Sequence, residues 1–202
     1  MGPFPTTASG NNYIVVEVDY LTKGSETASI STGTALETAQ FFVNQIVLRH
    51  GAPASIVSDR GKCFIVELTQ EVLKLLGINH RTTISYHPQA NGLCERLNQT
   101  LAEMLSMYVN SDQKNWDNVL PSVTFAYNIS KQESTRYTPF YLLYGKEAVL
   151  PTDLTVGVTS DMYAVTESKK RLRHTGYGKS NRSKEICFWK PSEKTPEAEI
   201  GI

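Results

Sequence analysis

"YIVVEVDY", residues 13–20, is the stretch from which the fold is worked out. Its β-branched residues favour a buried strand, and the strand ends on an acid, Asp19. Ligands of α/β proteins commonly bind where strands end, so Asp19 is the first candidate metal ligand. Spacing alone would make it a catalytic carboxylate, whereas the ordinary interpretation is an acid whose oxygens accept hydrogen bonds in a turn.

The chain continues as strands and helices in alternation. Thr34 and Glu37 have the spacing of a capping box, which predicts the start of a helix, and Gly51 lies where that helix would end. Residue patterns predict strands over 13–19, 27–31, 54–59 and 78–85, a loop over 85–92, and helices over 34–51, 64–77, 93–109 and 115–132. This order predicts an α/β layered domain.

The composition fits a globular protein with a hydrophobic core. Apolar residues make up 40% of the 202 residues, which is enough for a core, and no apolar run is long enough to span a membrane. The first residues lack the layout of a signal peptide. The three cysteines are scattered, which predicts reduced thiols in an intracellular protein and no disulfide framework or zinc site.

Charge is distributed unevenly along the chain although the net charge is zero. Residues 169–194 hold nine Lys and Arg against two Glu. We therefore predict a core domain over residues 1–154 and a basic, poorly structured tail over 155–202. The tail fits an anionic partner, and it equally fits a solvated C-terminal segment.

Two acids are candidates for chemistry in the absence of a phosphate-binding glycine loop. Asp59 ends a predicted strand, and Glu95 lies in the first turns of a predicted helix, on the face opposite Leu97. Asn91 and Asn98 are placed by the same spacing on the side of Glu95, and such an amide-rich face suits hydrogen bonding to sugar and phosphate. Taken singly, an Asp in a turn and a solvated Glu are the ordinary interpretations.

Three segments then identify a family: "SDRGKCF" (58–64), "YHPQANGL" (86–93) and "CERLNQTL" (94–101). They resemble the catalytic core of integrases of gypsy-class LTR retrotransposons, which are retroviral-type enzymes of the ribonuclease H-like superfamily. The resemblance runs from about Gly2 to Leu154, and the 35 residues between Asp59 and Glu95 match the D-x35-E spacing of that family. It implies a mixed five-stranded sheet flanked by helices.

The resemblance also implies a chemistry. In the family, three carboxylates hold Mg²⁺ (or Mn²⁺) for 3′-end processing and strand transfer, and Asp59 and Glu95 match the second and third. The first acid lies on an opening strand that would precede Met1, so we expect the sheet to lack its first strand and the chain to be inactive alone. Asp19 ends the family's second strand and is expected to be structural.

Nucleic-acid contacts are expected around the two acids. Gln89, Asn91 and Asn98 lie on the loop and helix beside Glu95, and basic side chains nearby could contact phosphate: Arg60, Lys62 and Arg96. The implied partners are DNA, as element ends and target, and a second copy in a homodimer, with a nuclear location if the protein is functional. Two alternatives stay open: a non-catalytic, integrase-derived module that binds DNA or protein, and a ribonuclease H-like nuclease, which needs a fourth acid.

Overall fold

The structure is a computed structural model, and it describes residues 1–59, 61–82, 88–156 and 183–187. For a few of these it gives the backbone alone: residues 62, 88–91, 156 and 183–187. Arg60 and the strand residues predicted at 83–85 lie outside the described part, as does most of the predicted tail.

The described strands form one mixed five-stranded sheet in the order β2-β1-β5-β3-β4. They are β1 (Tyr13–Asp19), β2 (Ser25–Ile30), β3 (Ser55–Ser58), β4 (Asn79–Thr82) and β5 (Ser183–Cys187). β1 runs antiparallel to both of its neighbours, β2 and β5, whereas β3 runs parallel to both β4 and β5. The predicted class, a mixed five-stranded sheet flanked by helices, is confirmed.

Helices cover both faces of the sheet. Their bounds are α1 (Ala35–Phe41), a π-helical continuation (Phe42–Val47), α2 (Leu48–His50), α3 (Lys62–Ile65), α4 (Glu67–Leu75), α5 (Pro88–Ser106), α6 (Trp116–Ile129), α7 (Pro139–Tyr144) and α8 (Pro151–Val156). The helix predicted over 34–51 is confirmed together with its capping box, in which Thr34 and Glu37 each bond the other's backbone N–H. None of the described helices is long and apolar enough to cross a bilayer.

Two sequence predictions for the helices need correction. The helix predicted over 64–77 is broken at Val66, whose extended backbone separates α3 from α4. The loop predicted over 85–92 is helical from Pro88 onward, because a proline is well suited to the first turn, where its missing N–H is not needed. The turn residues after Pro88 therefore belong to α5, the helix that carries Glu95.

The core is two apolar layers, one on each face of the sheet. Alternate residues of β1 point to opposite faces, so Val16 and Val18 pack against α5 and α6 while Val15 packs against α1 and its continuation. Leu97 and Leu101 seat α5 on the first face, and Ile56 joins β3 to the second. Each face of the sheet is thus fixed to the helices that carry or support the candidate acids.

The central strand of the sheet comes from a segment that the sequence pattern assigned to a poorly structured tail. Ser183–Cys187 form β5, which lies between β1 and β3. The rest of the predicted tail, and the domain boundary near residue 154, stay predictions. We expected the sheet to lack the strand that opens the family's core. The described sheet nevertheless has five strands, because β5 lies in its middle.

Candidate functional site

Asp59 lies directly after β3, at the edge of the sheet where β3 and β4 both end. Its carboxylate Oδ1 accepts the backbone N–H of Gly61 at 2.9 Å, which closes the turn. The Ser58 hydroxyl donates to the backbone carbonyl of Asp59, also at 2.9 Å. The carboxylate is half-buried. Both the backbone and the side chain of Asp59 are therefore held in place by short local hydrogen bonds.

A half-buried histidine extends this support into the sheet. His80 Nε2 lies 2.8 Å from the Ser58 hydroxyl, and Gln70 Nε2 lies 2.8 Å from His80 Nδ1 and 2.8 Å from the Phe64 carbonyl. Because the Gln70 amide donates to Nδ1, Nδ1 accepts and Nε2 carries the proton that it donates to Ser58. Burial lowers the pKa of His80, which favours this neutral form. Sequence reasoning gave no role to Ser58, although it opens the segment 58–64, and it missed Gln70 and His80, which belong to no motif.

Cys63 lies close enough to Asp59 for the two side chains to interact electrostatically. Burial is the main cause that raises the pKa of the Cys63 thiol to about 11, and the negative charge of Asp59 raises it further against a hydrogen bond from Thr38. The thiol is therefore protonated at neutral pH and is not a nucleophile. Of this pair, the Asp59 carboxylate is therefore available for chemistry, whereas the buried Cys63 thiol is inert.

Glu95 is on α5, between Cys94, which is fully buried, and Arg96, which is exposed like Glu95 itself. The neighbouring Leu97 is buried against the sheet, so the helix presents Glu95 to solvent as predicted from the spacing. Arg96 also acts on the buried Tyr127, where its positive charge opposes the rise of the tyrosine pKa, to about 12, caused by burial.

Of the other residues predicted to contact nucleic acid, some have no described side chain and one is buried. The side chains of Lys62, Gln89 and Asn91 lie outside what the structure describes. Asn98 is described, and it is 4% exposed, with an Oδ1 atom that has no hydrogen-bond partner among the described residues. The sequence prediction that Asn98 shares the exposed side of Glu95 is wrong, because one step from Leu97 turns the helix by only about 100° and keeps Asn98 near the sheet.

Asp19 lies away from Asp59. In the sheet, Asp19 is opposite Lys184, and Lys184 is opposite Ile56, three residues before Asp59. Since β1 and β3 run in opposite directions, the end of β1 is about 10 Å down the sheet from Asp59 and two strands across. Asp19 therefore lies at the opposite end of the strands from Asp59 and is not part of the same site.

The buried carboxylate of Asp19 closes the β1–β2 turn instead. Its Oδ1 accepts the backbone N–H groups of Leu21 at 2.7 Å and of Thr22 at 3.0 Å. The Thr22 hydroxyl accepts the N–H of Gly24 at 3.1 Å and so belongs to the same turn. The expectation that Asp19 is a structural acid is confirmed by these contacts.

In the part of the chain that the structure describes, no group of three or more His, Cys, Asp and Glu is placed to hold a metal ion. The described residues therefore contain no cluster of three metal-ligating side chains that includes Asp59 or Glu95.

Comparisons with known proteins identify relatives of this chain. No family model matches the chain. The chain is 27% identical over 151 residues to the retrovirus-related Pol polyprotein from transposon 412 of Drosophila melanogaster, a match that covers 75% of this chain and 12% of that protein. It is 25% identical over 215 residues to the gypsy retrotransposon integrase-like protein 1 of Bos taurus, covering 97% of this chain and 43% of that protein. The chain thus spans less than half the length of these relatives.

Solved structures agree with these relatives. The catalytic core domain of BIV integrase is similar with a TM-score of 0.56 and 27% identity, over 67% of this chain and 88% of that one. A simian T-cell lymphotropic virus intasome in complex with the PP2A regulatory subunit B56 gamma is similar with a TM-score of 0.60 and 25% identity, over 72% of this chain and 52% of that one. The fold is that of integrase catalytic cores, a ribonuclease H-like fold.

Within that class, the relatives of this chain are the gypsy retrotransposon integrase-like proteins and the retroviral Gag-Pol polyproteins. The chain is a homologue of both, and its similarities support the function of a retrotransposon or retroviral integrase core.

The role of Asp19 predicts different effects for two substitutions. Asp19→Asn keeps an oxygen that can accept the two backbone N–H groups, so we expect a small loss of stability. Asp19→Ala leaves those groups without their acceptor and should cost about 2 kcal/mol of unfolding free energy. Urea unfolding followed by tryptophan fluorescence measures both; equal losses in the two variants would contradict the role in the turn.

The half-buried His80 predicts a stability change in mildly acidic solution. The unfolded chain binds a proton at His80 near pH 6.5, whereas burial lowers the folded pKa below that value. Stability is therefore unaffected above pH 6.5 and falls as the pH drops below it, towards the folded pKa. Unfolding midpoints between pH 5 and 7 should show this slope, and His80→Asn should flatten it; an unchanged slope in the variant would refute the assignment.

Proposed function

We propose that this chain acts as the DNA-binding core of a retrotransposon-type integrase, in which Asp59 and Glu95 bind a divalent cation beside the DNA backbone. The homology to integrase-like proteins supports the class of function. The site is supported by the position of Asp59 directly after β3 and by the short connection that leads from β4 to α5, the helix that carries Glu95.

The connection from β4 to α5 limits how far the start of α5 can lie from the end of the sheet that carries Asp59. β3 and β4 are parallel, so both end at the same edge, and only residues 83–87 separate Thr82 from Pro88. Such a short link spans at most about 20 Å, so α5 begins close to the edge that carries Asp59. Glu95 follows seven residues into α5, about 10 Å along its axis.

The chemistry of these side chains fits a hard divalent cation. Carboxylate oxygens are the ligands that Mg²⁺ and Mn²⁺ prefer, and Glu95 is exposed to solvent while Asp59 is held in a fixed turn. A bound cation of this kind activates an attacking oxygen and stabilises a leaving one in phosphodiester chemistry. The contribution of this chain is to hold Asp59 rigidly through Gly61, Ser58 and His80 and to offer Glu95 from a helix.

A second function is favoured by the small number of acids. The described residues supply two carboxylates at the proposed site and no third metal-ligating group. This arrangement also fits a non-catalytic module that binds DNA without joining it, since two carboxylates position a cation less firmly than three. DNA binding that persists when the cation is chelated, without end joining, favours the module; metal-dependent joining of a 3′ end to a second duplex favours the enzyme.

Cation binding tests the two acids directly. We expect Asp59→Asn and Glu95→Gln each to weaken Mn²⁺ binding by about tenfold or more, because each removes one charged oxygen ligand, equivalent to about 1.4 kcal/mol per tenfold. Isothermal titration and the Mn²⁺ effect on water proton relaxation measure it. Glu103→Gln is the matched control, since Glu103 is exposed on the same helix. An unchanged affinity in both site variants, or an equal loss in the control, would disprove the cation site.

DNA binding tests the exposed arginine beside Glu95. Arg96→Ala should weaken binding to duplex DNA and reduce the slope of log affinity against log salt by about 1, as expected for one lost phosphate contact. Fluorescence anisotropy across a series of salt concentrations, with and without a chelator, measures the slope. Lys74→Ala is the control, because the exposed Lys74 lies on α4, which packs on the opposite face of the sheet. Equal slopes for Arg96→Ala and the unsubstituted chain would exclude this contact.

A further inference from the structure

The two halves of the sheet are joined by a single strand. Among the described strands, β2 and β1 form one half and β3 and β4 the other, and β1 and β3 are linked through β5 alone. β5 comes from Ser183–Cys187, far along the chain from every other strand. The position between β1 and β3 thus behaves as a slot into which a separate segment is inserted.

The pairing of β5 is continuous along both of its edges. Residues 184–187 pair antiparallel with Asp19 back to Val16, and residues 183–186 pair parallel with Ser55 to Ser58. A shift of one residue would break the match on both sides at once. The slot therefore accepts its strand in one direction and one register.

The slot is also closed at one end. Asp19 donates its N–H to Gly24 on the β2 side, so the alternation of an antiparallel strand directs the even-numbered residues of β1 to the β5 side. On that side Ile14 donates its N–H to the carbonyl of Met1 at 2.8 Å, and the Met1 amino group donates to the Ile14 carbonyl. Met1 thus pairs with β1 on the same side as β5, two residues from the Val16–Cys187 pair.

The walls of the slot need a strand between them. Val16 and Val18 of β1 are fully buried, and so is Ser58 of β3, which supports Asp59. Without an inserted strand, backbone N–H and C=O groups on the facing edges of β1 and β3 would lose their partners, and each unpaired buried group costs about 1–3 kcal/mol. The strand next to β3 consequently stabilises the edge that carries Asp59.

We propose that the space between β1 and β3 is a strand-binding slot, that Ser183–Cys187 of the same chain is its ligand, and that this docking fixes the edge of the sheet bearing Asp59. The same chain is the favoured source, because β5 belongs to it and 26 residues separate Val156 from Ser183, a number that can bridge roughly 80 Å when extended. An intramolecular segment reaches an effective concentration of about 1 mM, well above that of a second copy in dilute solution.

Disulfide trapping tests the register and the source together. In the Val16→Cys variant, the introduced thiol lies opposite the natural Cys187, and paired strand residues have Cα separations of about 4.5–5.5 Å, which suit a disulfide. The protein is folded under oxidising conditions, and peptide mapping of the unreduced digest identifies the partner thiols. We expect a link between positions 16 and 187 within one chain.

The control and the alternative outcomes are distinct. In Glu17→Cys the new thiol belongs to the opposite face of the sheet from position 16, so a link to Cys187 is not expected. A link between positions 16 and 187 of two different chains, seen as a disulfide-bonded dimer, would show that a second copy supplies the strand and would overturn the proposal. Absence of the link would overturn it as well, provided that the independent pair Val18→Cys with Glu185→Cys, which are also opposite each other, fails to link too.

Hydrogen exchange tests the coupling to Asp59 and needs neither DNA nor metal, so its outcome is independent of the proposed function. Glu185→Pro removes a backbone N–H from a strand paired on both sides, whereas Glu185→Ala keeps it. We expect amide exchange in β1 and β3 to quicken by about tenfold or more in the proline variant and to change little in the alanine variant. Unchanged protection of β3 in Glu185→Pro would contradict the proposal.

Discussion

A strand in the middle of a sheet has backbone groups on both edges, and once it is buried each of these groups needs a partner inside the protein. In this chain the need is greatest at β1, whose residues from Ile14 to Asp19 are buried. β2 satisfies one edge through a tight hairpin, and β5 and Met1 satisfy the other. The two candidate acids depend on this pairing, because the sheet is the frame from which both β3 and α5 are positioned.

The same frame separates two acids that look alike in the sequence. Asp19 is the last residue of β1 and Asp59 directly follows β3, yet β1 and β3 run in opposite directions, so the two carboxylates lie at opposite ends of the strands. Their hydrogen bonds differ accordingly. Asp19 is buried and accepts two backbone N–H groups of its own turn, whereas Asp59 is half-buried and is supported from behind by Ser58 and His80. Strand direction, more than residue type, places Asp19 away from Asp59.

The support behind Asp59 has the character of a preorganised site. Gln70, His80 and Ser58 form a chain of hydrogen bonds that ends on the backbone of Asp59, and each member has a defined donor and acceptor role while His80 is neutral. A site that binds a cation through few ligands gains from such rigidity, since less ordering is required when the ion arrives. The buried Cys63 adds an apolar wall and no reactivity.

The sequence by itself determined the class of fold, the helix that starts at its Thr34–Glu37 capping box, the two acids Asp59 and Glu95, and the resemblance to integrase cores. These features rest on local propensities and short motifs, which are readable along the chain. The tertiary structure alone decided that Ser183–Cys187 is the central strand, that Asn98 faces inward, and that His80 supports Asp59. The physical reason is that pairing, burial and side-chain contact depend on residues far apart in sequence, and a segment as short and charged as 183–187 becomes a strand only where two other strands offer it partners.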